Sequence, residues 1–240
     1  MIETYIIVLV VFVFSVVQSL FGVGILVFGT PTCLLLGFPF DVTLSYLLPA
    51  SIGISILQIL HGRNEIKMKN EFMIFTVPFI ILALSLVLMK WIKLDMKIIV
   101  GIMLVLTGII RALPRLYNLM KIFLKKNLKI YLIGMGVIHG LSNMGGGLLT
   151  ILSISLFNGK NEIRANIAYG YLIFAVTQIL VLAILNPSIF NIKIIIFPFI
   201  STITYIFLGN IIFRKSKEGL YQNLITVFIL VYGIILLINT

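Results

Sequence analysis

Long apolar runs divided by short polar connections fill this chain from end to end. A bilayer crossing takes about 20 consecutive apolar residues, so the runs predict helices at roughly 4–21, 42–60, 72–89, 97–113, 130–144, 165–185, 192–212 and 220–238. Two further apolar pieces, roughly 24–37 and 147–157, are too short to cross a core about 30 Å thick by themselves. Each of them follows a run that is cut by glycine.

The two cuts resemble one another. Ser19-Leu20-Phe21-Gly22-Val23-Gly24 leads into Ile25-Leu26, and Ser142-Asn143-Met144-Gly145-Gly146-Gly147 leads into Leu148-Leu149. Serine and two glycines recur 123 residues apart. Each copy then passes through an apolar stretch to an acidic residue, Asp41 or Glu162, and into a long apolar helix. A duplicated, interrupted apolar segment points to the binding site of a secondary transporter. The expected fold is an all-α polytopic membrane protein of about eight transmembrane helices in two homologous halves, with helices broken at the glycine-rich segments. The halves are residues 1–113 and 130–240, joined by a basic cytoplasmic linker over 114–129.

Composition agrees with a lipid environment. Hydrophobic residues make up 61% and charged residues 10%, with a mean hydropathy of +1.21, whereas a soluble domain carries about 25% charged residues. The net charge of +11 does not indicate nucleic acid, because the basic residues sit in connections and not on a soluble basic face. Cys33 has no partner for a disulfide, and with only His61 and His139 a Cys/His metal site is not expected; Cys33 is read as a packing residue. No cofactor is expected. The first residues, Met1-Ile2-Glu3-Thr4, lack a basic n-region and are read as the start of the first helix.

Charge gives little guidance on orientation. The linker side of eight simple spans would hold Arg63, Lys67, Lys69, Arg111, Arg115, Lys121, Lys125, Lys126, Lys129 and Lys193. The other side would hold Lys90, Lys93, Lys97, Lys160, Arg164, Arg214, Lys215 and Lys217. That near-even division leaves the termini unplaced by the positive-inside rule. Whether the repeats are parallel or inverted also stays open.

In hydrocarbon every backbone polar group needs a partner, so a broken helix needs a reason. Close helix packing is one, since small residues let backbones approach. Anion binding is the other: a new helix start presents bare N–H groups and about half a positive unit charge. Apart from His139, no ionisable residue is expected deep in a span, so dipoles, hydroxyls and amides would do the recognition. The candidate substrate-binding residues are Gln18, Ser19, Gly22, Gly24, Ser142, Asn143, Gly145, Gly146, Gly147 and Gln178, with His139 as the candidate for proton coupling.

These motifs resemble the TauE/SafE family, also called the 4-toluene sulfonate uptake permease family. The resemblance rests on Gly22-Val23-Gly24 with Pro31 downstream, on Gly145-Gly146-Gly147, and on the duplicated layout within 240 residues. It implies a transporter, not an enzyme, moving a sulfur oxyanion such as sulfite, an organosulfonate or another small organic anion across the cytoplasmic membrane. The implied partners are that anion and the lipid bilayer, with a homodimer open and nucleic acid excluded. The bias toward Ile, Lys and Asn points to an AT-rich prokaryotic genome. Two rival readings stand beside it. Gly140-Leu141-Ser142-Asn143 with His139 is near the motif of a rhomboid-like intramembrane serine protease, although a base three residues away on the same helix makes a poor dyad. A non-catalytic membrane subunit would need the glycines for packing only.

Overall fold

A computed structural model describes residues 2–239 apart from 69, 93, 94, 191, 216 and 217, without the side chains of 2, 3, 193, 218–225 and 228. Lys69, Lys93 and Lys217 of the charge distribution above therefore lie outside the described residues, as does the side chain of Lys193. The described elements are all helical. They are α1 (Ile2–Phe21), α2 (Ile25–Leu35), α3 (Phe40–His61), α4 (Glu71–Leu88), α5 (Met96–Ala112), α6 (Pro114–Lys126) and α7 (Leu128–Ser142). There follow α8 (Gly145–Leu156), α9 (Lys160–Leu185), α10 (Ile196–Thr204), α11 (Asn210–Lys215) and α12 (Glu218–Ile238), with a π turn, Tyr205–Gly209, between α10 and α11. Among the described residues, five helices are long and apolar enough to cross a membrane, or up to six if a bent pair counts as one. The chain is thus a multi-pass membrane protein.

Both predicted breaks exist, and each reverses the chain. α1 stops where Gly22 takes a left-handed φ of 72°, a conformation that suits glycine. Gly24 then lies against the backbone of Phe14 and Gln18, and Phe28 stacks on Phe14 at 5.9 Å, so α2 folds back along α1. α7 stops at Asn143, whose φ is 63°. Asparagine tolerates this left-handed cap. α8 folds back along α7, with Gly145 against His139 and the Tyr131 hydroxyl donating to Leu148 O at 2.7 Å. The second glycine cluster does not itself break the helix, contrary to the sequence expectation. Gly145, Gly146 and Gly147 form the first turn of α8, where N–H groups lack intrahelical partners whatever the residue.

Helix directions follow from the packing. α3 and α9 are antiparallel, from Gly62 beside Ala165 to Asn186 Nδ2 donating to Asp41 at 3.0 Å. α5 and α12 are antiparallel, with Gly101 on Leu237 and Gly108 on Leu230. α4 and α7 run parallel, Gly136 against Thr76 and Gly140 against Ile80. α3 and α10 run parallel, from Tyr46 on Phe197 to His61 on Tyr205. Asn166 Oδ1 accepts from the N–H groups of Lys67 and Met68 at 2.8 Å, which brings the starts of α4 and α9 together. Beside them Lys67 pairs with Glu162 at 2.9 Å, and the carboxylate's hydrogen bond and charge raise the lysine pKa.

One face of the bundle therefore gathers the ends of α3, α5 and α11 and the starts of α4, α7, α9 and α12. Every described Lys and Arg side chain except Lys90 and Lys97 belongs to that face, called here the basic face. The α1–α2 hairpin enters from the opposite face and the α7–α8 hairpin from the basic face. The tip of the α7–α8 hairpin meets the middle of α2, where Asn143 Nδ2 donates to Thr30 Oγ1 at 2.8 Å.

The expected linker is a helix. Asp95 caps α5 by accepting from Lys97 N at 2.9 Å, and Pro114 begins α6 after a 100° bend. α6 carries Arg115, Lys121, Lys125 and Lys126 together with exposed Leu119, Ile122 and Phe123, the pattern of a helix lying in a membrane interface. Trp91, exposed at the opposite face, suits an interfacial anchor.

Candidate functional site

At the first break most polar groups satisfy one another, with Gln58 Oε1 left over. Gln18 is fully buried. Its Nε2 donates to Ser51 Oγ at 3.1 Å and Ser55 Oγ at 3.3 Å, and its Oε1 accepts from Ile25 N at 3.2 Å. The start of α2 is thus capped by the protein's own amide oxygen. The freed carbonyls at the end of α1 are also covered. Gln58 Nε2 donates to Gln18 O at 2.8 Å, and Arg164 Nη1 donates to Ser19 O at 3.3 Å. A cation at a helix C-terminus meets the negative end of its dipole. Ser19 Oγ turns back to Ser15 O at 2.6 Å. Glycine is needed here for closeness: a Cβ on Gly22 would lie 2.9 Å from Ile167, and one on Gly24 would meet the α1 backbone.

Arg164, which was not a sequence candidate and lies just outside the expected span 165–185, is buried by the packing. It sits in α9, only 8% exposed, with its guanidinium 3.4 Å from the centre of the Phe213 ring. Ring and carbonyl together compensate the buried charge. No sequence signal marks it, because a charge at an expected span boundary looks solvated until the tertiary packing is known.

The second break is different. Asn143 Oδ1, Gln178 Oε1, Tyr171 Oη and both ring nitrogens of His139 are buried without a hydrogen-bond partner. They share one neighbourhood. Gln178 Nε2 donates to His139 O at 3.2 Å, and the His139 ring stacks on Phe174 at 4.1 Å. The side chain nearest to a Cβ on Gly145 would be His139, on Gly146 Tyr171 and on Gly147 Thr107. No side chain caps the start of α8. An orphaned buried polar group costs roughly 1–3 kcal/mol, so this cluster is expensive unless a polar guest visits it. The glycines are closely packed in this conformation, which closes the start of α8 to solvent. Packing and binding are therefore compatible roles.

The structure brings together Asn143, Gly145, Gly146, Gly147, Gln178 and His139. It places Gln18, Ser19, Gly22 and Gly24 apart from these, at the other tip; the Asn143–Thr30 bond ties the second tip to the middle of α2. Tyr171, Thr30, Ser51, Ser55 and Gln58 were not among the sequence candidates for the site. They are ordinary polar residues in long helices, and only helix packing selects them from the rest.

The protease reading does not hold. Ser142 Oγ donates to Ile138 O at 2.7 Å and accepts from Met144 N at 3.3 Å, while the His139 ring faces Phe174. No such pair makes a nucleophile and base. Ser142 is self-satisfied and Asn143 is not, so their alanine variants should separate. Asn143→Ala is expected to raise the half-saturating substrate concentration about tenfold, worth ~1.4 kcal/mol. Ser142→Ala is expected to change it less than about threefold, within the net worth of one local hydrogen bond. Initial uptake rates against concentration measure both.

No curated protein and no solved structure matches the chain. A family model described as Sulfite exporter TauE/SafE matches residues 7–236. With that match running over nearly its whole length, and with paired broken helices in an all-helical membrane bundle, the chain belongs to the TauE/SafE sulfite exporter family of transporters.

Proposed function

We propose that the chain is a secondary transporter of a small anion, a sulfur oxyanion such as sulfite or an organosulfonate, in a prokaryotic cytoplasmic membrane. The observation that carries this reading is the cluster of unpartnered polar groups at the start of α8. Amide N–H groups, the Tyr171 hydroxyl and the Asn143 amide offer donors there, and the helix dipole adds positive potential without a fixed charge. Gln178 Oε1 and Asn143 Oδ1 are acceptors, which favour an anion that keeps one proton.

Two halves, residues 1–113 and 130–240 with α6 between them, support alternating access. Exchanging α1, α2, α3, α4 and α5 for α7, α8, α9, α10–α11 and α12 maps neighbours onto neighbours. The α1–α10 contact becomes α7–α4, α3–α10 becomes α9–α4, and α2–α12 becomes α8–α5. The α3–α9 and α5–α12 contacts map onto themselves. Corresponding helices run in opposite directions, which favours inverted repeats, each of three full spans and one broken-helix hairpin. The basic face is then the cytoplasmic one, with both termini on the opposite side.

Purified protein in liposomes tests the reading. Sulfite loaded on one side should exchange with labelled sulfite on the other, and empty liposomes should not. Absence of exchange for sulfite, thiosulfate, sulfonates and small carboxylates alike would remove the function. If His139 couples protons, His139→Gln should keep exchange but lose accumulation driven by a pH gradient. Unchanged accumulation would take His139 out of the coupling.

A further inference from the structure

A second polar cavity, of about 240 Å³, opens on the basic face. α3 supplies Gln58 and His61, α9 supplies Asn161 and Arg164, and α11 supplies Asn210 and Arg214. Glu65 is its one carboxylate, against two guanidiniums. We propose that this cavity is a separate recognition subsite for a small oxyanion that carries a hydroxyl, loaded before the anion reaches the start of α8. The proposal rests on the transport reading above.

Three observations support it. First, Arg164 is held in place: Nη1 is bound to Ser19 O at 3.3 Å and the guanidinium lies on the Phe213 ring. A guanidinium pinned in one orientation loses little entropy on meeting a planar or tetrahedral oxyanion. Second, Gln58 is 1% exposed and its amide orientation is fixed, because Nε2 faces two carbonyls, Gln18 O at 2.8 Å and Ser19 O at 3.3 Å. That leaves Gln58 Oε1 buried and without a partner, on a residue that lines the cavity. A fully deprotonated oxyanion would meet this acceptor with like polarity. An oxyanion with an O–H would satisfy it while its charge faces the arginines. Third, the cavity and the inner cluster share α9. Arg164 and Tyr171 are seven residues apart on α9, a rise of ~10 Å. Between them fully buried Ile167 packs against Gly22. The first break thus forms the wall between the outer cavity and the inner cluster.

Binding and transport separate this proposal from the reading beneath it. Sulfite binding is measured by calorimetry on the full chain in lipid nanodiscs, with phosphate and sulfate as competitors of equal shape but unequal proton count. Gly146→Leu, which fills the inner site, should still bind sulfite. In that background Arg214→Gln should weaken binding at least tenfold, Arg214→Lys should weaken it less, and phosphate should compete at least tenfold better than sulfate. In the otherwise unchanged protein, Arg214→Gln should raise the half-saturating concentration for uptake tenfold and keep the maximal rate. The proposal is overturned if Gly146→Leu folds but binds nothing, if Arg214→Gln changes neither binding nor uptake, or if sulfate competes as well as phosphate. A protein that binds sulfite with this Arg214 and phosphate dependence but never exchanges it would instead overturn the transport reading and leave the cavity standing as a binding site.

Discussion

Gly146→Leu should abolish transport, with initial uptake falling at least ~100-fold, equivalent to ~2.7 kcal/mol. A first side-chain carbon at this position would collide with the Tyr171 hydroxyl and lie 2.7 Å from both Cε2 and Cζ of the same ring. Tyr171 is fully buried and tilted against Phe174, with ring centres 6.4 Å apart, so it has little freedom to retreat. Leucine brings three carbons more. Either α8 parts from α9 or the ring leaves its rotamer, a strain of about 1–3 kcal/mol. Both outcomes put hydrocarbon where an anion would meet the amide hydrogens of α8. Gly134→Leu is the matched control, because nothing lies within 4 Å of a Cβ there; it should insert and transport normally. Membrane-inserted amount and uptake rate, measured on the same preparations, check both. Transport at the normal rate by Gly146→Leu would place the binding site elsewhere.

Gly24→Ala should do a different kind of damage. It should lower stability by on the order of 3–5 kcal/mol, summing overpacking and a lost buried hydrogen bond. The collisions here are with main chain: the Gln18 nitrogen, the Gln18 Cα at 2.8 Å and the Phe14 carbonyl oxygen at 2.8 Å. Backbone inside a helix can move even less than the buried Tyr171 ring. The α1–α2 hairpin would have to open, and opening it breaks the bond from Ile25 N to Gln18 Oε1. Thermal unfolding followed by size-exclusion chromatography in detergent should show a large fall in the melting point or little monodisperse protein. A Gly24→Ala protein as stable as the parent would mean that α2 does not fold back on α1 as described. The two glycines thus divide the labour: Gly24 closes a hairpin, and Gly146 makes room for Tyr171 at the start of α8, where the proposed anion would bind.

Much of the fold was legible in the chain, because its signals are local. Apolar runs of bilayer length mark α1, α3, α4, α9 and the α10–α11 segment, and the glycines mark the two interruptions. The place and form of the second interruption were less legible. Three glycines suggested an unwound segment, yet the left-handed residue is Asn143 and the glycines continue as helix. A run of glycine says that side chains are absent; it does not say whether the space is left for turning or for contact. The candidate site was half legible for a similar reason. Asn143 and Gln178 stood out as amides in apolar sequence, whereas Tyr171 and Arg164 became functional candidates only through what α9 packs against.

By itself the sequence determined the solvent, the helical class, the existence and approximate place of two interruptions and the resemblance to a transporter family, since hydropathy and glycine act within one or two turns of helix. Only the tertiary structure decided the directions of the helices and therefore the two faces. Counted along simple crossings, the positive charges divide almost evenly. Once the α1–α2 and α7–α8 segments fold back as hairpins, nearly all the described ones share one face, because a hairpin returns the chain to the side from which it came. It is the same long-range packing that buries Arg164 against the end of α1 and assembles the unpartnered groups around α8, and no spacing along the chain encodes either.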